Sequence, residues 1–348
     1  MTTAHFKPRI ALYGIGNYGQ MMVRFAAKKG WPIVAAYNRA GAKVGQDIGR
    51  VAGLDHDYGV VVQDCDKADY SQLAGLGADI GIVTMYDVLK DNFPAYERLL
   101  NAGVNVVCHG SESYIPQFAD PETAAKIDQL ARRNKVTWAG TGVWDMSRIW
   151  SLMTVAGVCD EINSIHNVSV TNLESFGEVI TLGAGVGMTP EEFEVKVNDP
   201  SKNAYGRALY KMIPALALRA LGYTMTDCTY KQVPVILPHP FYCKLLKREL
   251  PAGSCAGLRT YVEAKTAEGV TATVQSDSRV LFNEGETEHI QWEVKGNVLS
   301  PKVRIERDNG HVMQALSVFN RVKDVIAAPP GMQLIPDMPG PMKHLAIQ

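Results

Sequence analysis

Short apolar runs alternate with helix-length segments of mixed polarity over roughly the first 150 residues. The runs are apolar at successive positions rather than at every second one, which is typical of parallel strands covered on both faces. Asp120 followed by Pro121 indicates a helix start, because Asp caps a first turn and Pro fits its first position. The predicted strands are 9–14, 31–37, 59–64, 78–86, 105–110 and 135–142, and the predicted helices are 17–29, 87–102 and 121–134. This pattern predicts a doubly wound parallel α/β domain.

The second part of the chain has longer runs in which apolar and polar residues alternate. Such alternation is typical of antiparallel strands that bury one face. We predict a first domain over residues 1–147 and a second, α+β domain built on a mostly antiparallel sheet over residues 148–310, with residues 311–348 packing back on the first. The predicted strands are 162–173, 257–266, 271–282, 288–296 and 302–308, and the predicted helices are 143–156, 189–198, 203–221 and 311–327.

Composition and charge narrow the classes of function. The 348 residues are 46% hydrophobic and 20% charged, with a formal net charge of -1. This balance gives no electrostatic reason to expect a nucleic-acid or membrane partner. The N-terminus lacks an apolar signal-peptide core, no run reaches about 18 apolar residues, and the cysteines form no CxxC pair. We therefore expect a cytoplasmic protein.

A glycine-rich turn, GIGNYG, joins the first predicted strand to the first predicted helix. In this context GxGxxG predicts dinucleotide binding, because the first glycine permits a tight turn, the second lets the backbone approach a pyrophosphate, and the third lets helix and strand pack closely. Amides at the helix start would donate to the phosphates. The alternative is a tight turn without a ligand. The predicted cofactor contacts of this loop are Gly14, Gly16, Asn17, Tyr18 and Gly19.

The second predicted strand ends at Asn38 and Arg39, where an NAD-specific site usually places Asp or Glu on the ribose 2′-hydroxyl. Asn38 has no charge to repel a 2′-phosphate, and Arg39 can pair with one. We therefore predict NADP as the cofactor and leave NAD open; the alternative interpretation makes Arg39 a solvated loop residue. Thr84, Met85 and His109 end the fourth and fifth predicted strands, and we expect them in the same crevice.

Three side chains near the end of the fifth predicted strand are candidates for catalysis. Cys108 is a thiol, but a cysteine within an apolar strand is usually buried. His109 has acid–base chemistry close to neutral pH, although a histidine at a strand end more often packs beside the cofactor. Glu112 lies just beyond the strand, near the nicotinamide end of the predicted crevice, where a carboxylate can act as a base. The alternative interpretation makes Glu112 a solvated carboxylate in a loop.

Several motifs resemble the native amine dehydrogenases, relatives of 2,4-diaminopentanoate dehydrogenase with a dihydrodipicolinate-reductase-like nucleotide domain. They are GIGNYG (14–19), YNRAG (37–41), HGSESY (109–114), GTGVWD (140–145) and SVFNRV (317–322). That family places its catalytic glutamate in the segment that HGSESY matches, so the resemblance implies that Glu112 is catalytic. The match of SVFNRV to an Asn-Arg segment of the family implies a cofactor contact at Asn320.

The resemblance implies reversible reductive amination, in which a ketone or aldehyde, ammonia and NAD(P)H give a primary amine. Glu112 would act as general base and stabilise the iminium. Pocket residues are predicted at Trp144, which follows the sixth strand, and at Asn172 and Phe176, which follow the strand at 162–173. The alternative interpretation makes Trp144 a packing residue at the domain interface. The resemblance also implies a homodimer joined through the sheet of the second domain.

Alternative functions remain open at this point. One is a diaminopentanoate-type dehydrogenase or another imine- or carbonyl-reducing NAD(P) oxidoreductase that uses the same glutamate. Another is a sensor that binds NADP without catalysis. The pocket segments contain no evident Arg or Lys for a substrate carboxylate, which favours plain ketones or aldehydes. The sequence has no HExxH, CxxC or P-loop motif, so no metal site is predicted.

Overall fold

The computed structural model describes residues 6–86, 88–199 and 204–340. The chain divides into two compact units, Met1–Asp145 with His311–Gln348, and Met146–Gly310. The boundary therefore lies two residues before the one expected from the sequence. Within the described ranges, no helix combines the length and apolar character that crossing a membrane requires.

The strands are numbered along the described chain. They are β1 (Ile10–Tyr13), β2 (Ile33–Asn38), β3 (Val62–Asp64), β4 (Ile80–Val83), β5 (Asn105–His109), β6 (Thr137–Thr141), β7 (Ile162–Asn172), β8 (Met225–Ile236), β9 (Phe241–Cys243), β10 (Arg248–Leu250), β11 (Cys255–Thr266), β12 (Thr271–Arg279), β13 (His289–Gly296), β14 (Lys302–Glu306) and β15 (Gly331–Gln333).

The α-helices are numbered in the same way. They are α1 (Asn17–Lys29), α2 (Ile48–Val51), α3 (Gln72–Gly75), α4 (Leu89–Asn101), α5 (Ser111–Tyr114), α6 (Pro116–Ala119), α7 (Pro121–Arg133), α8 (Ser151–Ala156), α9 (Glu178–Gly183), α10 (Pro190–Lys196), α11 (Ala204–Ala220), α12 (Gly310–Asn320) and α13 (Val322–Ala327). A π-helix, Asp145–Trp150, precedes α8.

The first unit is built on a parallel sheet with the strand order β15-β6-β5-β4-β1-β2-β3. Alternate residues of β1 bury into two separate cores. Ile10 and Leu12 pack in a core that includes residues of α1, α12 and α13, whereas Ala11 and Tyr13 pack in one that includes residues of α4 and α7. The sheet is thus covered on both faces, as its apolar strands require.

The second unit contains a sheet with the order β14-β13-β7-β12-β11-β8. All neighbouring pairs are antiparallel except β12 and β7, which run parallel. The predicted fold class, a Rossmann-like parallel sheet with a second α+β domain on a mostly antiparallel sheet, is therefore confirmed.

Several elements differ from the sequence-based expectation. β8 was not predicted, because its alternation is interrupted by Pro234; a proline is tolerated there since β8 lies at a sheet edge. β15 lies in the Pro-rich tail, which gave no strand signal. The predicted strand 59–64 is shorter because the carboxylate of Asp47 accepts the N–H groups of Tyr58, Gly59 and Val60, which removes those amides from a ladder.

The predicted helices also change at their ends and interiors. Residues 143–156 form the π-helix followed by α8. The predicted helix 311–327 forms two helices, α12 and α13, separated at Arg321. The side chain of Arg321 forms buried ion pairs with Asp145 and Asp324. The predicted starts of helices 87–102 and 203–221 lie outside the described residues.

Candidate functional site

The glycine loop between β1 and α1 has three different geometries at its glycines. Gly14 has a left-handed φ of 92°. A Cβ on Gly19 would lie 2.1 Å from the carbonyl oxygen of Gly14, so the close packing of helix and strand requires glycine there. A Cβ on Gly16 would meet no atom within 4 Å. The space beside Gly16 is therefore open, which fits the close approach of a phosphate group to the backbone.

A cavity of about 810 Å³ opens beside this loop. It lies at the carboxyl ends of β1, β2 and β4, where the strand order reverses, and its volume is within the range of small-molecule sites. Its lining includes these predicted cofactor residues: Gly14, Gly16, Asn38, Arg39, Thr84 and Met85. The other five predicted cofactor contacts are described residues that lie outside the lining: Asn17, Tyr18, Gly19, His109 and Asn320.

Hydrogen bonds fasten the segment after β2 to the glycine loop. Asn38 accepts the N–H of Ile15 at 3.0 Å and donates to the carbonyl of Arg39 at 3.0 Å. Lys43 donates from Nζ to the carbonyl of Ile15 at 2.5 Å, and it also lines the cavity. Sequence reasoning missed Lys43, because a lysine in a loop carries no signal of its own.

Thr84 connects the end of β4 to the same loop. It is buried, and its hydroxyl donates to the carbonyl of Gly14 at 2.6 Å. A Cβ on Gly14 would lie 3.2 Å from that hydroxyl oxygen. The glycine loop is thus held from the β2 side by Asn38 and from the β4 side by Thr84.

Glu112 lies on α5, directly after β5. Gly110 makes the turn with φ 126°, and a Cβ on Gly140 of β6 would lie 1.9 Å from the carbonyl oxygen of Ser113, so α5 packs tightly on the sheet. The half-buried carboxylate accepts the N–H of Leu89 at 2.7 Å, at the first turn of α4. Helix N-termini favour negative charge. The carboxylate therefore lies next to the β4–α4 segment, which lines the cavity before and after Leu89.

His109 and Tyr18 pack together beside this segment. Their ring centroids are 4.7 Å apart, and the hydroxyl of Tyr18 is 3.0 Å from Nδ1 of His311. Burial lowers the pKa of His109 to about 4, against the opposing effect of a hydrogen bond to the backbone of Thr84. Burial raises the pKa of Tyr18 to about 12. His109 is therefore a neutral ring at physiological pH.

The depressed pKa of His109 predicts an acid-sensitive fold. The unfolded chain binds a proton near pH 6.5 and the folded chain only near pH 4, so this contribution to stability is present above pH 6.5 and is lost as the pH falls toward 4. When the pH is lowered from 7.5 to 4.5, the free energy of unfolding of the wild type should fall by about 2–3 kcal/mol more than that of His109→Gln. Urea denaturation at both pH values measures this, with the exposed His56→Gln as control. An equal loss in His109→Gln and wild type would contradict it.

The predicted pocket residues lie in different units, and their role stays a prediction. Trp144, in the first unit, is buried and stacks on Tyr114 with ring centroids 4.8 Å apart. Asn172, in the second unit, accepts the N–H of Glu174 at 3.1 Å, and Phe176 is half-buried at the end of the same turn.

Two other side chains from the sequence analysis have clear surroundings. Cys108 is buried, and its thiol lies 3.7 Å from the carbonyl oxygen of Ala139, which fits a packing residue. Asn320 is the last residue of α12 and is half-buried.

One group of potential metal ligands, Asp64, Cys65 and Asp66, occurs in the part of the chain that the structure describes. Asp64 lies 3.4 Å from Lys67, and Asp66 accepts a bond from Arg98 at 2.8 Å. Ion pairs thus already engage both carboxylates, and we assign no metal to this group.

Comparisons with known proteins agree with the motif resemblance. The curated 2,4-diaminopentanoate dehydrogenase of Acetoanaerobium sticklandii is 27% identical over 199 residues, which cover 56% of this chain and 54% of that protein. The match therefore spans about half the length of that relative. The solved structure of an amine dehydrogenase from Mycobacterium smegmatis is 26% identical, with a TM-score of 0.78 and 97% of each chain covered.

A more distant structure shows the fold alone. It is the myo-inositol 2-dehydrogenase of Lactobacillus plantarum, at 13% identity and a TM-score of 0.58, covering 95% of this chain and 93% of that one. The family model of the 2,4-diaminopentanoate dehydrogenase C-terminal domain matches residues 149–346, more than half of the chain. The family predicted from the motifs is thus confirmed, and the chain belongs to the 2,4-diaminopentanoate dehydrogenase family of oxidoreductases, which includes amine dehydrogenases.

Proposed function

We propose that the protein is an NADP-preferring amine dehydrogenase that catalyses the reversible reductive amination of a ketone or aldehyde with ammonia. The observation that carries this proposal is the carboxylate of Glu112, which is bonded to Leu89 in the segment that lines the cavity. Family membership supports the reaction class. We further propose a homodimer joined through the sheet of the second unit, and a cytoplasmic location.

The residues around the cavity fit a dinucleotide. The open space at Gly16 would admit a pyrophosphate, and the amides at the start of α1 would donate hydrogen bonds to it. Arg39 lies on the lining after β2, where a 2′-phosphate would be recognised. Bound nicotinamide supplies the hydride. Thr84 and Met85 line the β4 end of the cavity and would orient the ring.

Glu112 would handle the protons of the reaction. Ammonium must lose a proton before its nitrogen can attack the carbonyl carbon, and the carboxylate accepts that proton. The protonated carboxyl group then returns that proton to the hydroxyl of the carbinolamine, which leaves as water, and the regenerated negative charge of Glu112 stabilises the iminium cation. A carboxylate accepts several hydrogen bonds at once, so the bond from Leu89 orients the group while it works. In the reverse direction, Glu112 accepts a proton from the attacking water.

The proposal is tested by following NADPH oxidation with a panel of ketones and aldehydes, cyclohexanone included, with and without excess ammonium at alkaline pH. We expect oxidation that requires ammonium, because the iminium and not the carbonyl accepts the hydride. Oxidation that is independent of ammonium would instead identify a carbonyl reductase. NADPH binding without any oxidation would favour the sensor.

A second candidate function, oxidation of a diamine, is favoured by the match to 2,4-diaminopentanoate dehydrogenase. Reduction of NADP+ with 2,4-diaminopentanoate, compared with simple primary amines, separates the two. Faster turnover of the diamine would move the assignment to that substrate class while leaving the role of Glu112 unchanged.

A further inference from the structure

The β2 end of the cavity contains a second cation, Lys43, in addition to Arg39. The chain turns back between Gly41 and Gly45, which have left-handed φ angles of 142° and 87°, and the N–H of Val44 bonds the carbonyl of Gly41 at 3.1 Å. This turn returns Lys43 toward the glycine loop. The lysine is half-buried, and its bond to the carbonyl of Ile15 fixes the ammonium against that loop.

The amide of Asn38 is hydrogen-bonded to the backbone of both loops. Its oxygen accepts the N–H of Ile15, and its nitrogen donates to the carbonyl of Arg39. An NAD-specific site uses a carboxylate at this strand end to bind the ribose hydroxyls. Here the strand-end side chain instead joins the glycine loop to the segment that carries the two cations.

The charge at this end of the cavity is uncompensated. Among the described residues, neither Arg39 nor Lys43 has an acidic partner. Asp66, which also lines the cavity, is bonded to Arg98, and Asp91 follows β4, on the other side of β1. Two cations without counter-charges beside a cavity favour a multiply charged anion.

We propose that Lys43 and Arg39 together bind the 2′-phosphate of NADP, with Lys43 as a specificity-determining residue. This inference rests on the proposed function, because it assumes that the cavity binds a dinucleotide. Arg39 offers the planar donor fork that matches phosphate oxygens, and Lys43 adds a compact charge with N–H groups beyond the one bonded to Ile15. The fixed ammonium contributes affinity without the entropy cost of ordering a free side chain.

The test is equilibrium binding of NADP+ and NAD+ by calorimetry to wild type, Lys43→Met, Lys43→Arg and Lys28→Met. Lys28 is exposed in the last turn of α1, at the end away from the glycine loop, so its variant controls for loss of one positive charge. Thermal unfolding checks that each variant is folded. We expect Lys43→Met to bind NADP+ about 10- to 100-fold more weakly and NAD+ nearly as wild type does. Lys43→Arg should keep the preference for NADP+.

The remaining outcomes separate this inference from the proposed function. Equal losses for NADP+ and NAD+ would overturn the 2′-phosphate contact and make Lys43 a residue that only holds the loop. An unchanged preference in Lys43→Met, with a wild type that prefers NADP+, would overturn this inference alone. A wild type that binds neither dinucleotide would overturn the proposed function together with it.

Discussion

Glu112→Gln is expected to lower kcat for reductive amination by about 10²- to 10⁴-fold, the usual contribution of a positioned general base. The amide oxygen of glutamine can still accept the N–H of Leu89, so the local fold is kept while the proton acceptor and the negative charge are lost. The affinity for NADPH should change little. Steady-state rates with excess ammonium, together with NADPH titration and thermal unfolding of the same preparation, measure the three quantities.

The matched control is Glu97→Gln, which removes one carboxylate from the exposed side of α4, the helix whose first turn binds Glu112. We expect wild-type rates from it. If Glu112→Gln retains the kcat of Glu97→Gln, Glu112 is a cap for α4 and not the catalytic base. A loss of NADPH affinity equal to the loss of rate would place Glu112 in cofactor binding instead.

Arg321→Met is expected to lower the free energy of unfolding by about 3–5 kcal/mol, because it leaves buried carboxylates without their cation. Arg321 is 1% exposed and lies 2.7 Å from Asp145 and 2.7 Å from Asp324, which are themselves buried. It also donates to the carbonyl of Pro339 at 2.6 Å. Urea denaturation at neutral pH measures the change.

The comparison for this variant is Arg132→Met, which breaks an exposed ion pair with Asp128 on α7. Exposed pairs contribute little, so we expect a free energy of unfolding close to that of the wild type. Losses of similar size in Arg321→Met and Arg132→Met would show that the buried cluster contributes no more than a surface pair. Arg321→Lys, which keeps the charge but not the planar fork, should fall between wild type and Arg321→Met.

The alternation of apolar runs and helices was sufficient to predict the parallel sheet, because burial on both faces leaves a direct signature in the sequence. β8 and β15 were not predicted because their sequences lack such a signature. β8 is an edge strand that tolerates a proline and many polar residues, and β15 has three residues in a proline-rich tail. Strands of this kind are formed by the neighbour they pair with rather than by their own pattern.

The candidate site was predictable only where a topological rule applies. Parallel strands end at one edge of their sheet, so Asn38, Thr84 and Met85 could be assigned to one crevice from strand order alone. The bond from Leu89 to Glu112 and the bond from Lys43 to Ile15 join residues 23 and 28 positions apart. Such bonds depend on how loops approach each other after folding, and no periodicity records them.

The parallel sheet has a consequence for synthesis of the chain. Its edge strand β15 and the helices α12 and α13 follow the second unit in sequence. The first unit therefore consists of two segments of the chain, and residues 146–310 are inserted between them in the sequence. While a ribosome is still translating the second unit, the first lacks the cover that Val318, Phe319 and Val322 provide, and β6 has an open edge. An exposed apolar face with an unpaired strand is prone to aggregation. The nascent first unit is therefore a candidate chaperone substrate until α12, α13 and β15 leave the ribosomal tunnel.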